Sequence, residues 1–73
     1  MSRAMNLALP LAEVTAACLD AGVDISAIEI LPSGGTHLVC KCGIGAEEMR
    51  TRLKRHVITG RVTRFAFYSA PGR

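Results

Sequence analysis

A small two-layer α+β domain is what this sequence predicts, in the order α-β-β-α-β, with both helices on one face of an antiparallel sheet. Three observations lead there. Two segments repeat apolar residues at helical spacing, two short segments alternate apolar and polar residues around a Pro/Gly turn, and a further alternating segment follows near the C-terminus. With 73 residues the chain makes one domain, residues 1–73, near the size at which a single core just suffices. The apolar share of 49% supplies that core mainly from aliphatic side chains, since Phe65, Phe67 and Tyr68 are its only Phe, Tyr or Trp residues.

The first helix is expected over "PLAEVTAACLDAG". Pro10 suits a first helical turn, where its missing N–H costs nothing, and Gly22 suits the position just past the end. Leu11, Val14 and Cys18 form its buried stripe, and Ala12, Ala16 and Ala17 suit close packing on a sheet. A hairpin follows. Ile28 and Ile30 alternate with Ala27, Glu29 and Leu31, "PSGG" supplies the turn, and Leu38, Cys40 and Cys42 alternate with His37, Val39 and Lys41. The second helix is expected over "GIGAEEMRTRLKRHV", with Ala46, Met49, Leu53 and Val57 inward, Glu47 and Glu48 in the first turn, and Gly60 as its stop. "RVTRFAFY" reads as the last strand and "SAPGR" as a tail.

Residues 5–9, "MNLAL", also alternate. A strand there would extend the order to β-α-β-β-α-β, the ferredoxin-like pattern. The near absence of a loop between Leu9 and Pro10 argues for the five-element order instead.

Charge is unevenly spread. Residues 1–46 carry two basic against four acidic residues, a net −2, while residues 47–73 carry seven basic against two acidic, a net +5. "EEMRTRLKRHVITGRVTR" alone holds six of the nine Lys and Arg residues. Such asymmetry favours an anionic partner through long-range attraction. The expected binding surface is Arg50, Arg52, Lys54, Arg55, Arg61 and Arg64, with Tyr68 beside Arg64 as an aromatic next to a basic group. Against this stands a solvated helix whose charges satisfy one another, Glu47 with Arg50 and Glu48 with Arg52. Lys54 and Arg55 have no acidic neighbour in sequence. The open sheet face would add Ala27, Glu29, His37, Val39, Lys41 and Val62, a mixture suited to a protein contact, and edge strands invite pairing with a second copy as a homodimer.

Catalytic constellations are missing from the sequence. "CKC" places Cys40 and Cys42 on one strand face, but zinc pairs want two to four intervening residues and a second pair, so the thiols are expected in the core. His37 stands opposite Glu29 in the expected hairpin, a common sheet pairing, and His56 falls at the edge of the apolar helix stripe. "GIGAEE" is too short for a dinucleotide fingerprint and lacks a preceding parallel strand. The chain is therefore expected to be no enzyme, with no cofactor and no metal. Three cysteines without a secretory signal point to reduced thiols in the cytoplasm, and no apolar run reaches the ~20 residues of a membrane span.

"PLAEVTAACLDAGVDISAIEILPSGGTHLVCK", residues 10–41, resembles short proteins encoded in alphaproteobacterial phages and prophages, often beside a site-specific integrase. The shared features are a helix ending in Ala21-Gly22 and a hairpin of the form I-E-I, G-G, L-V. The resemblance implies a mobile-element origin and brings no catalytic residues. With it, the expectation is a non-catalytic phage protein that inhibits a host protein or nucleoprotein complex, of the anti-CRISPR or counter-defence type. The alternative is a DNA-binding, excisionase-like accessory factor, whose phosphate contacts would weaken steeply with salt.

Overall fold

The computed structural model describes residues 2–59. Over them the chain runs β1 (Ala4–Leu7), α1 (Leu11–Ala21), β2 (Ile25–Ile30), β3 (Thr36–Cys40) and α2 (Gly43–Arg52), followed by a 3-10 turn, Lys54–His56. The expected last strand, "RVTRFAFY", lies outside the described residues. The three strands form an antiparallel sheet in the order β1-β3-β2, and both helices contribute to one apolar cluster on it. The α+β class is as expected.

The leading strand exists, which corrects the five-element order. It begins at Ala4 and ends at Leu7, earlier than the 5–9 alternation suggests, so Ala8 and Leu9 remain to make the connection to Pro10. Met5 and Leu7 point into the core and Asn6 away from it, and Ala4 to Leu7 pair in order with Val39 to Thr36. Beyond α2 the chain returns to the other side of β1. There Val57 bridges Leu7, flanked by Ala8 N–H to the His56 carbonyl (2.7 Å) and Ile58 N–H to the Asn6 carbonyl (2.8 Å).

Helix α1 starts one residue later than expected. Pro10 is its extended N-cap, and its carbonyl accepts from the Glu13 and Val14 N–H groups. At the far end Gly22, with φ 70°, donates to the Leu19 carbonyl while Val23 donates to Cys18. This paired arrangement satisfies the last carbonyls of the helix, and its left-handed residue favours glycine. Val14 and Cys18 are buried, but Ala12 and Ala16 face solvent, and it is Ala17 and Ala21 that pack on the core.

The hairpin closes through a three-residue loop, Pro32 to Gly34. Gly34 N–H donates to the Leu31 carbonyl and Leu31 N–H donates to that of Gly35. Gly34 and Gly35 both take positive φ, 104° and 93°. They differ in surroundings. A Cβ on Gly34 would meet open space, whereas one on Gly35 would run into the Leu7 carbonyl oxygen. The loop also ends β2 at Ile30, which is 54% exposed, and turns Leu31 inward to 4%, the reverse of the expected alternation.

Helix α2 is shorter than expected. It ends at Arg52, with Leu53 leading into the 3-10 turn, so His56 projects into solvent rather than lying half-buried. Since the helix begins at Gly43, Glu47 and Glu48 fall in its second turn rather than its first. Ala46 and Met49 are fully buried, and Leu53 and Val57 pack on the core from its margin. Leu7, Val14, Leu38, Cys40 and Met49 are all 0% exposed. Each large apolar side chain so buried contributes about 1.5–3 kcal/mol, more than any surface ion pair in this chain can.

Replacing Gly35 by Ala is expected to cost about 2 kcal/mol or more, because backbone strain and a backbone clash combine. Gly34→Ala should cost only about 1 kcal/mol, from strain alone. Urea denaturation midpoints of the two variants check the order; equal losses would contradict the close approach of Gly35 to Leu7.

Candidate binding surface

The basic residues of α2 divide into two groups. Arg50 bonds to Glu47 at 2.9 Å, one turn back, and reaches across to the N-terminal segment, where Nη2 donates to the Ser2 carbonyl at 2.6 Å and the Ala4 carbonyl at 3.4 Å. Arg52 donates through Nε to Glu48 at 2.6 Å and lies 3.6 Å from Asp20 on α1. The hydrogen bond to Glu48, with smaller help from the charges of Glu48 and Asp20, holds the guanidinium above its ordinary pKa. Both expected intrahelical pairs therefore form. Arg50 and Arg52 spend their charge within the molecule.

Lys54 and Arg55 do not. They sit on the 3-10 turn, are exposed, and have no acidic partner among the described residues. The end of α2 at Arg52 puts both residues on the 3-10 turn rather than on the helix itself. Arg61, Arg64 and Tyr68, the remaining members of the expected surface, lie outside the described residues.

On the sheet face away from the helices, Asn6, His37 and Glu29 form a row across β1, β3 and β2, since His37 is in register with both neighbours. The expected Glu29–His37 pairing is present, but His37 is only 9% exposed, more enclosed than an open-face residue was expected to be. Its Nδ1 lies 2.7 Å from Asn6 Oδ1. With the amide oxygen as acceptor, the ring proton is held on Nδ1, which fixes tautomer and orientation. Ala27 is exposed and Val39 half-buried, while Lys41 lies past the end of β3 rather than on the sheet face.

The three cysteines separate by depth. Cys18 and Cys40 are fully buried, and burial pushes both thiols above their ordinary pKa, with a smaller upward push on Cys18 from Cys40 and on Cys40 from Cys42. Cys42 departs from expectation. β3 stops at Cys40, and Cys42 becomes the exposed N-cap of α2, its Sγ accepting from the Gly45 N–H at 3.4 Å. Cysteine is an unusual N-cap, so period-2 alternation naturally carries the strand too far. Among the described residues no three His, Cys, Asp or Glu side chains converge as a metal site.

The described residues line an open groove and a smaller depression. An open, largely apolar groove of about 790 Å³ runs between the β1–α1 connection and the hairpin loop, lined by Leu9, Leu11, Ile30, Leu31 and Ile58 among others. A smaller one of about 380 Å³ lies at the start of α2 beside Val23, Asp24, Lys41, Cys42 and Ile44. No helix among the described residues is long and apolar enough to cross a membrane. Comparison with protein-family models, curated proteins and solved structures gives no match.

Cys40→Ser should lose about 1–3 kcal/mol, since it buries a hydroxyl in an apolar site. Cys42→Ser should be neutral or slightly stabilising, because serine is a preferred N-cap. Thermal melts distinguish them. In the folded protein a thiol reagent should label Cys42 rapidly and reach Cys18 and Cys40 only on unfolding; fast labelling of all three would contradict the buried placement.

Proposed function

We propose that this chain is a non-catalytic binding protein that engages an anionic surface of a host protein or nucleoprotein complex and inhibits it. One observation carries the reading: Lys54 and Arg55 are exposed on a short turn without an acidic partner among the described residues, while the arginines one turn earlier make internal contacts. A cation that no internal acid compensates is available for a carboxylate or phosphate, and arginine suits either through two parallel hydrogen bonds. The basic sequence that follows, with Arg61 and Arg64, adds charge of the same sign. The absence of a reactive constellation in the sequence supports binding rather than turnover. The mobile-element origin, and with it the counter-defence role, rests on the resemblance of residues 10–41.

The structure narrows which residues to test. Reversal of Arg50 or Arg52 would break contacts to the N-terminal segment or to α1 and would confuse folding with binding. The double change Lys54→Glu, Arg55→Glu avoids this. We expect it to leave the melting temperature within a few degrees of wild type and to abolish capture of the host complex from nuclease-treated extract. Unchanged capture would refute the reading. Tight binding of wild type to generic duplex DNA, weakening steeply as salt rises, would instead favour the accessory-factor alternative.

A further inference from the structure

Strand β2 forms one margin of the described sheet, with β3 on its inner side. The hairpin-closing bond from Leu31 N–H to the Gly35 carbonyl points inward. Antiparallel alternation then turns the main-chain groups of Glu29 and Ala27 toward β3 and those of Ile28 and Ile30 outward. Among the described residues nothing pairs with that outer margin. The chain itself leaves by the opposite side, where Ile58 donates to Asn6 of β1. The strand, Ile-Ser-Ala-Ile-Glu-Ile, also lacks the lysines and prolines that commonly protect an exposed sheet edge.

We propose that a second copy of this chain pairs with β2, antiparallel, about a two-fold axis at Ile28. Two registers use the outward groups. Centring on Glu29 would set two carboxylates directly opposite in a closely spaced pair, which is unfavourable. Centring on Ile28 lets that residue exchange both main-chain hydrogen bonds with its own copy, and it places Glu29 opposite Ala27 of the second copy. The strand's single charge is thereby separated from its equivalent, so its sequence is compatible with itself in this register. The exposed Ile30 gains cover at the same time. Ser26, the extra residue where the β2–β3 register shifts between Ile25 and Ala27, limits how far the pairing runs. The contact is accordingly small and the dimer weak. This inference is independent of the anionic-partner reading.

The test is sedimentation velocity over a wide concentration range at physiological ionic strength, with circular dichroism to check folding. Wild type should show a reversible monomer–dimer equilibrium. Ala27→Glu should weaken it about tenfold, by placing carboxylates opposite each other twice per dimer. Ala27→Lys should not weaken it, because each lysine meets a Glu29. Net charge alone predicts the reverse order, since the chain is +3 and added acid would ease repulsion. Position 27 is exposed, so both variants should fold; were the Glu variant unfolded, the Lys variant would decide. Monomer at every concentration, or a dimer following the net-charge order, would overturn the proposal.

Discussion

Leu7 is held on both flanks, and most of the fold depends on that enclosure. One side of its backbone meets Thr36 and Gly35 at the start of the hairpin's second strand; the other meets Val57 as the chain leaves the 3-10 turn. Its side chain is fully buried among residues from both helices. The N-terminal strand thus joins the hairpin to the end of α2. Thr36, also fully buried, reinforces the junction by donating to the Leu9 carbonyl at 2.7 Å, which satisfies a hydroxyl that would otherwise be costly to bury.

This arrangement explains how the basic segment is divided. α2 packs Met49 and Ala46 inward, so Arg50 emerges beside the N-terminal segment and serves as a clamp on its carbonyls. Arg52 emerges on the side facing α1, where Asp20 and Glu48 meet it. Neither position is free to act elsewhere. Past Leu53, Lys54 and Arg55 have no acidic partner among the described residues. Which of these cations meet an internal acid therefore follows from helix phase rather than from the number of charges.

Much of this was legible in the sequence, and the failures have physical causes. The first helix, the Pro/Gly hairpin and the Glu47–Arg50 and Glu48–Arg52 pairs follow from local spacing, and local spacing decides them. The leading strand is hard to prefer from sequence because its evidence is non-local: "AMNL" is short, and its partners lie 29 to 35 residues away. Cys42 was misplaced because alternation describes a strand but not where it stops, and a helix cap overrode it. His56 was misplaced because a continuous helical period was assumed through Leu53. Of the expected surface, the sequence identified Lys54 and Arg55 as lacking acidic neighbours, but it could not show that Arg50 is occupied by main-chain carbonyls from the other end of the described chain.

The hairpin loop has a consequence for how the molecule assembles. Strands β2 and β3 are joined by five residues, so they can meet at little cost in chain entropy, with the glycine conformations already suited to the turn. β1 lies across from β3 at a much larger sequence separation, as in the Ala4–Val39 pair. Contacts of that span are gained late, after local ones have formed. An early hairpin would therefore stand with the inner margin of β3 uncovered until the N-terminal strand arrives, and Gly35 keeps the space beside that margin narrow enough for one backbone. During synthesis β1 emerges first yet must wait for its partner, so the interval before β3 leaves the ribosome is when this small domain is most open to mispairing.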